Sequence, residues 1–233
     1  MTAFQYHPEI VAAYPDVVGG IIMAEALQNG ASPAALRAAY EAEQQAVRLR
    51  LGETPLSMLP ALAAWRGVFR SFGVDPTRYR SAAEALLRRL TKQGSIPAIN
   101  LLVDIGNLVS IRYALPVAVF DRRAVEGTLS VHFSDGTERF TTLNESESDQ
   151  PAPGEVIFSD VRRAVLARRW CWRQSDESAA RPDTTDAIIT IEAHHPGAQD
   201  DIRAALRDLL ALITEFGGGH LRSAVLTRDL PAW

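Results

Sequence analysis

The pattern of apolar positions divides the chain into a mainly helical first half and a second half rich in strands. An apolar run over 17–26, interrupted by Gly19 and Gly20, predicts a buried strand. Ser32 and Pro33 then predict a helix start, a capping hydroxyl followed by proline in the first turn. Apolar residues recur at helical spacing after this point and predict four helices, at about 34–51, 56–72, 82–93 and 99–113.

From Pro116 onward the hydrophobic period changes to two. Alternating segments separated by turn residues predict five short strands within 117–173, and further strands at 187–192 and 221–227. An amphipathic helix is predicted at 200–216, and the acidic segment 144–153 is predicted to be a loop. Helices followed by strands predict an α+β fold. No linker divides the sequence, so we expect one domain over 1–233, with an N-terminal helical part at 1–64 and a C-terminal helix and strand at 196–233.

Residues 81–84, Ser-Ala-Ala-Glu, match the capping-box pattern of a helix start. In this motif the Ser81 hydroxyl accepts a hydrogen bond from the Glu84 amide, and the Glu84 carboxylate reaches back to the Ser81 amide. We therefore predict structural roles for both residues.

Composition and charge narrow the classes of function. Hydrophobic residues make up 47% and charged residues 22% of the sequence, which is typical of globular proteins. The formal net charge of −4 argues against a protein that binds DNA or other polyanions through a generally basic surface. No apolar run is long enough to span a membrane, and the N-terminus lacks a secretory signal. We therefore expect a soluble cytoplasmic protein.

Arginine nevertheless clusters in two places, and Lys92 is the only lysine. The clusters contain Arg78, Arg80, Arg88 and Arg89, and then Arg162, Arg163, Arg168, Arg169 and Arg173. Guanidinium groups suit phosphates, so local contact with RNA is compatible with the negative net charge. GC-rich coding also explains abundant arginine, and charge alone does not separate the two interpretations.

Standard catalytic motifs are absent from the sequence. There is no Walker loop, Rossmann glycine fingerprint, GxSxG elbow or HExxH motif. His194 and His195 precede Pro196 at a predicted strand exit, where loop histidines are more common than metal ligands. Cys171 is the only cysteine, which excludes an internal disulfide and a cysteine-rich zinc site. We expect neither a metal nor a cofactor.

Two segments remain as candidates for chemistry, and the first is the helix predicted at 99–113. Asp104 and Asn107 are three residues apart, so they share one helix face. A carboxylate and an amide in such an apolar helix cost free energy unless they have partners. We therefore expect Asp104 to be largely buried with hydrogen-bonded oxygens. Binding to protein backbone and binding to a ligand are both open interpretations of this pair.

The second segment is RRWCWRQS, over 168–175. In a strand, Trp170 and Trp172 would point to one face and Arg169, Cys171 and Arg173 to the other. Tryptophan alternating with arginine can stack an unpaired base while it holds a phosphate. The alternative is a tryptophan pair in the core beneath an arginine-lined surface.

The same two segments resemble a known family. In order and spacing, ten residues match the patterns R-P-I-N-N-V-V-D-I-T-N and G-Q-P-M-H-A-F-D of that family: Pro97, Ile99, Asn100, Val103, Asp104, Ile105, Asn107, Pro116, Phe120 and Asp121. The chain is therefore similar to the paired third and fourth B domains of the phenylalanyl-tRNA synthetase beta subunit, most strongly over 65–195. Further agreement, at 80–89 and 170–175, resembles the free-standing members of this tRNA-binding and editing domain family.

The resemblance implies a mostly antiparallel β-sandwich-like core and hydrolysis of tyrosine wrongly attached to tRNA. Asn107 falls on the asparagine of the family pocket. Gly106 replaces the neighbouring threonine, and Ala118 replaces the histidine of M-H-A-F-D. Arg173 or Gln174 stands near the glutamate with which the family binds the tyrosine hydroxyl.

These observations support three hypotheses. The first is a trans-editing hydrolase that deacylates mischarged aminoacyl-tRNA, with Asn107 as the catalytic residue. The second is a non-catalytic RNA-binding or interaction module that has kept the fold, and the third is a binder of a free amino acid or similar ligand. Under the first hypothesis, the residues that contact tRNA or its aminoacylated 3′ end are Asp104, Arg168, Arg169, Trp170, Trp172, Arg173 and Gln174.

Overall fold

The computed structural model describes residues 3–142 and 148–233. Within these residues the α-helices are α1 (Pro8–Ala13), α2 (Ala34–Leu51), α3 (Pro60–Ser71), α4 (Ala82–Gln93), α5 (Leu101–Tyr113) and α6 (Ala198–Phe216). The strands are β1 (Phe4–Tyr6), β2 (Val18–Glu25), β3 (Val117–Asp121), β4 (Leu129–Phe133), β5 (Phe140–Thr141), β6 (Ser148–Asp149), β7 (Val156–Ser159), β8 (Val165–Arg168), β9 (Arg173–Gln174), β10 (Ala187–Ala193) and β11 (His220–Leu226).

A four-stranded antiparallel sheet lies at the centre of the molecule, in the order β11–β2–β10–β3. Strand β2 is interior, and both of its faces are covered. Ile22 and Ala24 pack against the helices, whereas Ile21 and Met23 pack into a second core. Burial on both faces explains why this strand reads as a nearly continuous apolar run. The strand predicted over 17–26 is thus confirmed.

A second sheet, in the order β1–β4–β7–β8–β9, encloses the second core. All its pairings are antiparallel except that of β1 with β4. Phe158 of this sheet lies 5.4 Å from Phe120 of the first sheet, measured between ring centroids. The two sheets thus share one apolar layer, which confirms an α+β fold with a mostly antiparallel, sandwich-like core.

Helices α5 and α6 pack on the opposite face of the four-stranded sheet, and α2 and α4 pack against α5. Helix α4 begins as predicted, because the Ser81 hydroxyl accepts the Glu84 amide at 3.3 Å. The Glu84 carboxylate, however, accepts from Arg66 at 2.7 Å, so the second half of the capping box is replaced by an ion pair. Among the described residues, no helix combines the length and the apolar character needed to cross a membrane.

The structure corrects four details. The N-terminal part is not simply helical, because it also supplies β1 and the interior strand β2. Ser32 does not cap α2; its hydroxyl donates to Asp104, and Pro33 occupies the capping position. The helix predicted at 56–72 is a 3₁₀ turn, Leu56–Met58, followed by α3. Residues 144–147 of the acidic loop predicted at 144–153 lie outside the described residues, and Ser148–Asp149 form the short strand β6 instead of a loop.

Candidate functional site

The N-terminus of α5 is fixed by side chains from several segments. Asn100 caps the helix by accepting the Val103 amide at 3.1 Å, and its own amide donates to the Ala180 carbonyl at 2.9 Å. The carboxylate of Asp104 accepts from the Ser32 hydroxyl at 2.5 Å and from the Ile99 amide at 2.8 Å. These contacts hold α5 in place relative to the loops around it.

Asp104 is buried, with 1% of its surface exposed, and both oxygens are hydrogen-bonded. The predicted burial is therefore confirmed. The predicted contact with RNA is not supported by this position, because Asp104 lies behind the surface of α5 and not among the residues that line the neighbouring cleft.

The cleft, of about 840 Å³, lies between α5 and the segment that includes β9. Asn107 lines one wall, and Trp172, Arg173 and Gln174 line the other. One face of α5 thus meets residues 172–175 across a single cleft, to which Asn107 but not Asp104 contributes. A side chain from each candidate segment therefore faces a common space.

Asn107 is half-buried and borders both the cleft and the helical core. On the core side its neighbour is Tyr40 of α2. Burial raises the pKa of the Tyr40 hydroxyl, the Asp104 carboxylate adds to the rise, and the Asn107 side chain opposes it. Tyr40 thus stays neutral beside the Asn107 side chain, which also lines the cleft.

Close packing explains why residue 106 is a glycine. A Cβ atom added to Gly106 would lie 3.3 Å from a methyl group of Val117 and 3.4 Å from one of Val119. A threonine, as in the family pattern, would crowd these two valines of β3. The floor of the cleft is therefore shaped by a close approach of α5 to β3.

The segment 168–172 does not continue as a strand, so the predicted alternation of faces is wrong. Arg169 and Trp170 have φ angles of 45° and 59°, and the chain turns there. Trp170 is fully buried, and its indole donates to the Glu192 carboxylate at 3.0 Å. Trp170 is therefore a core residue in this geometry, unavailable to stack a base.

Arg168 is also internal. Its guanidinium pairs with both oxygens of Glu155 at 2.9 Å and with Asp149, and only 5% of its surface is exposed. Such a pair satisfies a buried charge, whereas a phosphate contact would require Arg168 to leave it. The structure thus places neither Arg168 nor Trp170 at the cleft.

Trp172, Arg173 and Gln174 remain at the cleft wall. Arg173 is exposed and lies 4.5 Å from the centre of the Trp172 ring. Gln174 donates from its amide nitrogen to the carbonyls of Val119, at 2.8 Å, and Ser178, at 2.7 Å. The amide of Gln174 thus fixes the wall, and Arg173 is the one of these three residues that carries a charge.

A smaller pocket of about 60 Å³ shares Trp172, Arg173 and Gln174 with the cleft. Glu192 lines this pocket and accepts hydrogen bonds from Tyr6 at 2.7 Å and from Trp170. Burial raises the pKa of Glu192 to about 7, although the two hydrogen bonds oppose the rise. Glu192 was not predicted from the sequence. The signal that could have indicated it is a single carboxylate within the apolar segment ITIEA.

A family model described as the B3/4 domain matches residues 64–218. The chain belongs to the B3/4 domain family. The resemblance inferred from the sequence over 65–195 is thus confirmed, and the match includes the whole of α6. The B3/4 match includes both walls of the cleft, but β1, β2 and β11 lie outside it.

Relatives of this B3/4 domain protein include beta subunits of phenylalanine–tRNA ligase. That of Shewanella oneidensis is 30% identical over 116 residues, which cover 50% of this chain and 14% of the relative. That of Streptomyces avermitilis is 31% identical over 126 residues, which cover 54% and 15%. A solved N-terminal fragment of the phenylalanyl-tRNA synthetase beta-subunit from Pyrococcus horikoshii aligns with 95% of this chain and 50% of its own, at 13% identity and a TM-score of 0.49. The chain thus spans about a seventh of the two ligase subunits.

Proposed function

We propose that this protein binds the aminoacylated 3′ end of a tRNA in the cleft and hydrolyses the ester that joins a wrongly attached amino acid to it. The observation that carries the proposal is the juxtaposition of Asn107 and Arg173 across one cleft of about 840 Å³. The relation of its B3/4 domain to tRNA ligase beta subunits supports a function that involves tRNA. Such a substrate would place its action in the cytoplasm.

The chemistry of the cleft restricts the mechanism. Among the described residues that line it, none carries a carboxylate, an imidazole or a thiol. A general base supplied by those residues is therefore missing, and the terminal ribose hydroxyl of the substrate would orient the attacking water. The water oxygen bonds to the ester carbon, the bond to the ribose oxygen breaks, and that oxygen takes up a proton.

Asn107 supplies the polar contact to the reacting group. Its side-chain amide can donate to an oxyanion and accept from a ribose hydroxyl. The donor assists the reaction only if it meets the charge that develops on the ester oxygen in the transition state. Arg173, on the opposite wall, would neutralise the terminal phosphate.

Replacing Asn107 with alanine tests this role. We expect deacylation to slow by roughly 10- to 1000-fold, the loss that follows removal of one positioned transition-state donor. The measurement is single-turnover release of amino acid from a panel of mischarged tRNAs, with thermal unfolding recorded in parallel. Gln45→Ala, on an exposed part of α2, is the matched control and should leave the rate unchanged.

A second function, RNA binding without hydrolysis, is favoured by the glycine and alanine at Gly106 and Ala118, which bring no polar group to the site. If the wild-type protein binds tRNA but cleaves none of the mischarged tRNAs, this second function replaces the first. If Asn107→Ala unfolds the protein, Asn107 is a scaffold residue and the catalytic role assigned to it is wrong.

A further inference from the structure

Three arginines and two aromatic rings form a continuous stack beside the cleft. The Arg169 guanidinium lies 3.9 Å from the ring centre of Tyr79 and 4.4 Å from that of Trp172. Arg78 extends the stack at one end, 5.1 Å from the Tyr79 ring. Arg173 extends it at the other, 4.5 Å from the Trp172 ring. We call these five residues the arginine–aromatic ladder.

The ladder carries more positive than negative charge. Within residues 3–142 and 148–233, neither Arg78 nor Arg173 forms an ion pair, and both are exposed. The nearest carboxylate to Arg169 that forms an ion pair with it is Glu155, at 4.0 Å. Glu155 already binds the Arg168 guanidinium with both oxygens, so it is shared. Of the three guanidinium groups in the ladder, only that of Arg169 thus lies near a paired carboxylate, and this carboxylate is shared with Arg168.

The position of the ladder connects it with the proposed substrate site. Trp172 and Arg173 belong to the ladder and also line the cleft. Tyr79 lies two residues before Ser81, the cap of α4, so the ladder leads from the cleft wall toward the start of that helix. A ligand that enters the cleft and continues beyond it would follow this surface.

The alternation of arginines and aromatic rings in the ladder indicates which chemical class of ligand it can bind. Aromatic faces stack unpaired bases, and guanidinium groups between them pair with phosphates and stack on the same rings. In a double helix the bases are paired and stacked, so a double-stranded ligand would contact only the guanidinium groups. A single strand can stack its bases on the aromatic rings and pair its phosphates with the guanidinium groups.

We propose that the arginine–aromatic ladder binds the unpaired strand of RNA that leads to the 3′-terminal residue in the cleft. This inference rests on the proposed function for its orientation, because the cleft defines the terminal end. It does not require hydrolysis, so binding of uncharged tRNA tests it separately from the deacylation described above.

The first experiment removes two charges from the ladder. The double variant Arg78→Gln/Arg173→Gln is compared with Arg37→Gln/Arg203→Gln, which makes the same change in net charge at exposed positions on α2 and α6. Binding to uncharged tRNA is measured by fluorescence anisotropy over a range of salt concentrations. We expect the ladder variant to lower the salt slope by about 1.4, because each phosphate contact on a single strand contributes about 0.7. The control should keep the wild-type slope.

The second experiment tests the strand and the stacking. We expect the ladder variant to weaken binding of intact tRNA but not of tRNA from which the unpaired 3′-terminal nucleotides have been removed. Trp172→Leu should weaken binding of intact tRNA by roughly 5- to 100-fold, the cost of losing one stacked base, whereas Trp172→Phe should retain most of it.

Two results would overturn the inference. One is an equal loss in the ladder variant and its control, since binding would then depend on net charge alone. The other is an equal loss on intact and shortened tRNA, which would assign the ladder to phosphates of a double helix. Because the variants that test charge and stacking are separate, misfolding of Trp172→Leu leaves the charge comparison intact.

Discussion

Replacing Glu192 with glutamine is expected to change how the stability of the protein depends on pH. Glu192 is 2% exposed, and the carboxyl oxygen that Tyr6 and Trp170 contact accepts hydrogen bonds at 2.7 and 3.0 Å. Glutamine keeps an oxygen that can accept both bonds, but it has no charge to bury. The substitution therefore removes the titration and keeps most of the packing.

The sign and size of the effect follow from the pKa of Glu192. Burial raises it from 4.5 to about 7, so the folded state retains a proton that the unfolded state loses. The stabilisation is fully present below pH 4.5 and is lost as the pH rises toward 7. At about 1.4 kcal/mol per pH unit, the total loss is roughly 3 kcal/mol. Tyr6 and Cys171, which face the carboxyl, have raised pKa values and stay neutral over this range.

The assay is urea unfolding, followed by tryptophan fluorescence, of the wild type and Glu192→Gln at pH 5 to 8. His194 acts in the opposite direction, because burial lowers its pKa to about 3 and its contribution is lost as the pH falls below about 6.5. The difference between the two proteins at each pH cancels the effect of His194. We expect this difference to change by roughly 2 to 3 kcal/mol in favour of Glu192→Gln between pH 5 and pH 8.

A matched substitution, Glu41→Gln on the exposed face of α2, should leave the pH dependence as in the wild type. If the unfolding free energies of the wild type and Glu192→Gln run parallel from pH 5 to pH 8, the carboxyl has an ordinary pKa. The account of Glu192 as a buried, protonated acid would then be wrong.

Two further substitutions test the packing at the cleft floor and the buried ion pair of Arg168. Gly106→Thr should destabilise the protein by about 1 to 3 kcal/mol, because it crowds Val117 and Val119, and adding Val119→Ala should restore part of that loss in thermal unfolding. Arg168→Ala should lower the free energy of unfolding by about 3 kcal/mol, because it removes the guanidinium that binds both oxygens of the buried Glu155 and leaves only Arg169 beside it. If the Arg168→Ala variant is as stable as the wild type but no longer binds tRNA, Arg168 instead contacts RNA.

The parts of the fold that local signals determine were predictable from the sequence. Ser81 begins α4, Gly52 ends α2, and the apolar run of β2 is buried on both faces. The glycine at position 19, which interrupts the apolar run of β2, is explained by a close contact with β1. A Cβ atom at Gly19 would lie 2.2 Å from the hydroxyl oxygen of Tyr6, so this glycine makes room for the group that binds Glu192. Strand β1 was missed because three residues carry too little pattern, and its parallel partner lies far along the chain.

The candidate site was predicted only in part, because tertiary contacts override the strand pattern at 169–170. A non-glycine residue with positive φ costs about 1 kcal/mol or more, and nothing in the sequence signals two in succession. Full burial of Trp170 and its hydrogen bond to Glu192 offset that cost. The turn brings the Arg169 guanidinium over the ring of Tyr79. The spacing of these two residues along the chain does not predict that contact. Asn107, by contrast, lies on a regular helix, so its position was predictable.

Strand β2 lies between β11 and β10 in its sheet, and this position affects folding during synthesis on the ribosome. Its two neighbours, β10 and β11, lie near the other end of the sequence, so β2 leaves the ribosome long before either partner exists. At about 5–20 residues per second, synthesis of β10 follows that of β2 by roughly 10 to 30 s. During this interval an eight-residue strand, apolar on both faces, has no edge to pair with. Until β10 is made, β2 thus exposes apolar side chains on both faces, which is the kind of surface that chaperones bind.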